Sequence, residues 1–137
     1  MNDDVLAYLS EVAIKQNIKV IWSDALSAYT PPACYVPRRI VMMNQFWHNK
    51  QDIPFQLAHE MSHVINGDDT DMVFYNASYT GKQSVEYKAN VGAVKLLIPF
   101  YCGNRNKEQA NAYEFESIFN VPPYLNDAVI EQIKEYY

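Results

Sequence analysis

The chain is poor in basic charge, cysteine and histidine, and each shortage narrows what it can be. Only 11 Lys and Arg stand against 16 Asp and Glu, a formal net charge of −5 over 137 residues. Duplex-binding surfaces are rich in Lys and Arg, so the composition argues against direct contact with nucleic acid. Cys34 and Cys102 are isolated and form no C-x-x-C pair. They predict two reduced, packed thiols of a cytoplasmic protein rather than a disulfide framework. No apolar run approaches the roughly 20 residues that span a bilayer, so no membrane insertion is expected. The start, Met1-Asn2-Asp3-Asp4, is acidic and polar, the opposite of a secretory n-region.

Histidine is the scarcity that informs most. Of three histidines, two fall in His59-Glu60-Met61-Ser62-His63, an H-E-x-x-H pattern. On a helix, positions four apart lie about 40° apart around the axis, so both imidazoles leave one face. That spacing lets two neutral imidazoles bind one Zn²⁺, with Glu60 beside the open metal position as a proton acceptor.

At 137 residues the chain is expected to form one domain, residues 1–137, with a real hydrophobic core. Hydrophobic residues at 49% and charged residues at 20% suit a globular fold. Val5, Leu6, Leu9, Val12 and Ala13 space an amphipathic helix over 4–16, which Asp3 or Asp4 can cap. Residues 18–22, 33–36 and 39–43 read as three strands of a small, mostly antiparallel sheet. Asp52-Ile53-Pro54 starts a helix, and Gly67 ends it, placing the motif near the middle of 53–66. Residues 68–83 read as a long loop, followed by a helix over 84–98 that stops at Pro99. Helical patterns over 105–119 and 125–136 close the chain. Helix, then strands, then helices argues α+β.

A catalytic zinc keeps three protein ligands and one open position, so the two histidines need a third partner. Glu86, in the first turn of the next helix, is the strongest candidate; Asp68, Asp69 and Asp71 read as a solvated turn. Asn90, one turn after Glu86, can accept the outer N–H of a metal-bound histidine. Ala89 and Ala93 keep that face small enough for two helices to approach.

The segments Phe55-Gln56-Leu57-Ala58-His59-Glu60-Met61-Ser62-His63, Glu86-Tyr87-Lys88-Ala89-Asn90 and Leu96-Leu97-Ile98-Pro99 resemble the ImmA/IrrE-type zinc metallopeptidases. Phe119-Asn120-Val121-Pro122 extends the likeness, which covers roughly residues 35–125. The resemblance implies a zincin-like α+β domain in which His59, His63 and Glu86 bind zinc and Glu60 is the catalytic base. It also implies a helix-turn-helix repressor as protein substrate, and a small intracellular protein of a phage, mobile element or bacterial stress system. Many relatives have glycine where this chain has Ser62, a residue small enough to fit.

Candidate donors to the oxyanion are Tyr75, Tyr79, Tyr101 and His48. An extended substrate is expected to pair with an exposed sheet edge, the 39–43 strand. The alternative to an endopeptidase is a non-enzymatic antirepressor that displaces a repressor without cutting it. A closed structural zinc site has little support, since such sites are usually rich in cysteine and neither cysteine is near the motif in sequence.

Overall fold

Helix α1 (Asn2–Lys15) buries Val5, Leu9 and Ala13 on one stripe, as its spacing predicts. In this computed structural model, which describes residues 2–68, 72–74 and 83–137, α1 leads into β1 (Lys19–Ser23). The chain then forms β2 (Ala33–Tyr35) and turns through a short 3-10 segment into β3 (Ile40–Asn44). Helix α2 (Ile53–Asn66) carries the motif, and β4 (Met72–Phe74) follows it. Helices α3 (Gln83–Cys102), α4 (Ala112–Phe119) and α5 (Asn126–Tyr136) complete the described fold.

The strands form one sheet in the order β1-β3-β2-β4. β3 runs parallel to β1 and antiparallel to β2, and β2 is antiparallel to β4, so the sheet is mostly antiparallel. Cys34 of β2 and Val41 and Met43 of β3 are buried in the core, on the helices' side. Helix α2 lies between this sheet and α3, and every residue from Ile53 to Val64 is buried. A helix apolar over most of its circumference has to be central, because no face can be left to water. The architecture is α+β and zincin-like, with the motif helix against the Glu86-bearing helix.

Four expectations change. The 39–43 strand is β3, flanked on both sides, so it offers no free edge; among the described residues the edges are β1 and β4. Residues 72–74 of the expected long loop pair with β2, while 69–71 and 75–82 lie outside the described residues. Helix α3 runs through Pro99 to Cys102, because proline near a helix end removes only one backbone bond while Tyr101 and Cys102 are buried in the core. Helix α4 starts at 112 rather than 105, since Asn106 and Gln109 bond each other's backbone N–H in a turn and Asn111 caps Glu114 N–H.

Both cysteines are free and buried. No helix among the described residues is long and apolar enough to cross a membrane.

Candidate metal centre

Helix α2 ends in a turn that shapes the site. Gly67 takes φ 65°, its N–H bonds Val64 O, and Asp68 N–H bonds His63 O at 3.2 Å. These are the paired bonds of a Schellman cap, which needs the left-handed conformation glycine adopts without strain. The turn folds Asp68 back along the helix, and Asp68 Oδ2 accepts from His63 Nδ1 at 2.7 Å. Asp68 therefore belongs to the site and is not a solvated turn residue.

Helix α3 supplies the opposite wall. Glu86 Oε1 lies 2.8 Å from His59 Nε2 and 3.3 Å from His63 Nε2, and the two Nε2 atoms are 3.2 Å apart. One turn on, Asn90 Oδ1 is 2.7 Å from His59 Nδ1. The four side chains are all buried.

Proton bookkeeping explains why this cluster suits a cation. If each Nδ1 donates its proton, to Asn90 and to Asp68, each neutral imidazole has a bare lone pair at Nε2. Two lone pairs and a carboxylate oxygen then face one another, an arrangement that repels itself unless a positive charge sits among them. In a tetrahedral site with bonds of about 2.0–2.1 Å, ligand atoms lie roughly 3.3 Å apart, close to the observed spacings. Among the described residues, His59, His63 and Glu86 form the group able to hold a metal ion.

Without an ion, a proton does part of that work. Burial alone would raise the Glu86 pKa, but the two imidazoles outweigh it and hold the carboxyl down at about 2. Burial likewise disfavours charge on His63, yet Glu86 and Asp68 overcome it and raise its pKa, while His59 is lowered by its own burial.

Glu60 is fully buried, and neither carboxyl oxygen has a hydrogen-bond partner among the described residues. Burial pushes its pKa up to about 8. The Cys34 thiol of β2 lies beside it, close enough to interact electrostatically without completing a hydrogen bond. One cysteine is thus next to the motif in space, contrary to its place in the sequence. Burial first, and then the Glu60 charge, raise the Cys34 pKa.

The Peptidase_M78 description, an IrrE N-terminal-like domain, matches residues 13–118. The chain belongs to this family. Neither a curated protein nor a solved structure matches it. In this IrrE N-terminal-like domain the cluster and Glu60 sit within the matched stretch.

The candidate oxyanion donors fare differently. Tyr101 is about 22 Å along α3 from Glu86, by helical rise, and its hydroxyl bonds Glu114 and Asn111 O. His48 Nδ1 contacts Ala28 O, and its ring packs on Tyr29 and Trp47, none of them in the cluster. Tyr75 and Tyr79 lie outside the described residues. Among the described residues, Tyr124 is brought to the cluster, where its hydroxyl meets Asn90 Nδ2 at 2.6 Å. Its sequence signal was slight, a tyrosine two residues after the Phe119-Asn120-Val121-Pro122 segment.

The spacing of α2 and α3 has its own determinant. A Cβ added at Gly92 would lie 2.6 Å from Ser62 Oγ and 2.9 Å from Ser62 Cβ. The hydroxyl can rotate away, but the Cβ cannot. Gly92→Ala is expected to destabilise the protein by about 1–2 kcal/mol, overpacking partly offset by the better helix propensity of alanine. Ser62→Gly should recover much of that loss, with coupling of about 1 kcal/mol or more in a urea-denaturation double-mutant cycle. A Gly92→Ala protein as stable as wild type would mean the helices are not held at this contact.

Proposed function

We propose that this chain is a zinc-dependent endopeptidase that cleaves, and so inactivates, a helix-turn-helix transcriptional repressor. The observation that carries the reading is a three-ligand cluster set beside a buried carboxyl whose oxygens have no hydrogen-bond partner among the described residues. Three protein ligands with an open fourth position are the mark of a catalytic rather than a structural zinc.

In this reading His59, His63 and Glu86 hold the ion. Asn90 and Asp68 accept the Nδ1 protons and keep both Nε2 lone pairs turned inward. Bound zinc supplies Lewis acidity, bringing the pKa of water towards 7. Glu60 takes the proton of the attacking water and passes it to the leaving amine. An extended substrate has β4 rather than β3 to pair with, since β4 adjoins β2, whose Cys34 neighbours Glu60. The acidic net charge leaves recognition of a target gene to the repressor itself.

The test is incubation with zinc and a candidate helix-turn-helix repressor, followed by intact-mass measurement. Two fragments whose masses sum to the repressor plus one water are expected. An intact repressor that has nevertheless lost its operator would replace the peptidase with a non-enzymatic antirepressor.

A further inference from the structure

We infer that Tyr124 is a positioning residue of the metal centre, acting through Asn90 on His59. This rests on the metal-site reading above and adds a residue to it.

The local sequence presents Tyr124 rigidly. It sits in a 3-10 turn, Pro123–Leu125, behind Pro122 and Pro123 and ahead of the fully buried Leu125. Proline fixes φ, and the buried leucine anchors the turn, so the ring leaves the protein in a set direction. The residue is 63% exposed, yet both ends of its side chain are engaged. The ring stacks on that of Tyr87, the neighbour of Glu86, with centroids 6.4 Å apart and planes 29° apart. The hydroxyl meets Asn90 Nδ2 at 2.6 Å.

The amide of Asn90 has two settings, and only one serves a metal. With Oδ1 towards His59, it accepts the Nδ1 proton, and Nε2 is left as a lone pair facing the cluster. With the amide reversed, its NH₂ faces His59 Nδ1, the ring proton moves to Nε2, and that nitrogen can no longer ligate. In the serviceable setting Nδ2 needs an acceptor, and the Tyr124 oxygen is that acceptor. The hydroxyl proton remains available to a further acceptor at the exposed rim, so a bound peptide carbonyl that takes it reinforces the same setting.

Phenylalanine at 124 keeps the ring and the Tyr87 stack while removing the acceptor. Zinc affinity, measured by competition with a chelator, is expected to fall about 10-fold in Tyr124→Phe, the low end of the range for outer partners of metal ligands. Asn90→Ala should cost more. In the Asn90→Ala background Tyr124→Phe should cost nothing further, because its effect runs through the amide. Urea stability of the metal-free Tyr124→Phe protein should match wild type, as expected for an exposed ring that keeps its stack.

A Tyr124→Phe protein that binds zinc as tightly as wild type overturns the inference. So does an equal loss with and without Asn90, which would make Tyr124 an independent structural contact. A folded wild type that takes up no zinc overturns the metal-site reading beneath it, and the inference with it.

Discussion

Glu60→Gln is expected to lower repressor cleavage by at least about 100-fold, the lower range for removal of a general base. The amide keeps the size of the side chain but cannot take a proton from water. The same substitution should leave thermal stability unchanged or improve it. Glu60 is fully buried and its carboxyl oxygens have no hydrogen-bond partner among the described residues, so the fold carries the cost of a desolvated acid without a structural return. Loss of cleavage together with an unchanged or raised melting temperature separates chemistry from folding. Cleavage by Glu60→Gln at a tenth of the wild-type rate or better would remove Glu60 from the role of base.

The second large effect is on metal binding. Glu86→Ala removes one of three converging ligand atoms and should weaken zinc binding by more than about 100-fold, beyond the range typical of outer partners. Asp68→Ala leaves all three ligand atoms in place but frees the His63 Nδ1 proton from its acceptor, and should weaken binding by about 10–100-fold. The ordering is the informative part. Zinc at 100 times its Kd stabilises a folded protein by about 2.7 kcal/mol, so the zinc-induced rise in melting temperature should be large in wild type, reduced in Asp68→Ala and absent in Glu86→Ala. A Glu86→Ala protein that keeps its zinc would take Glu86 out of the ligand set, and full affinity in Asp68→Ala would reduce the Schellman turn to a structural end.

The sequence was legible where one physical rule acts locally. The bounds of α2 follow from Pro54 in the first turn and Gly67 just past the end, and the structure has the helix at Ile53–Asn66. The i, i+4 spacing of His59 and His63, and of Glu86 and Asn90, already puts each pair on one helix face. Asp52 shows the limit of such rules, since it stands at the N-cap but its carboxylate accepts from Trp47 Nε1 and Asn120 Nδ2 instead of capping the helix. Long-range arrangements were not legible. No local signal says that β3 inserts between β1 and β2, and so the wrong strand was expected at the edge. Cys34 reaches Glu60 only because β2 packs on α2. Tyr124 reaches Asn90 across 34 residues of chain, by way of a turn whose two prolines read as a mere break.

Small residues at the helix contact fall between these cases. Ala89 and Ala93 marked the face of α3 that approaches α2, and both are fully buried. A close approach lies between them in sequence, at Gly92 against Ser62. This chain has serine at 62 on the motif helix, and the room that serine needs is provided by Gly92 across the contact. The expectation that Ser62 fits was sound, but its reason lies on the other helix.

The proposed function stands on His59, His63 and Glu86 holding one zinc. Metal content of the purified, zinc-equilibrated protein, by elemental analysis and native mass spectrometry, tests it most directly. One tightly held zinc per wild-type chain is expected, lost in both His59→Ala and Glu86→Ala. A correctly folded wild-type protein that stays metal-free in excess zinc would contradict it.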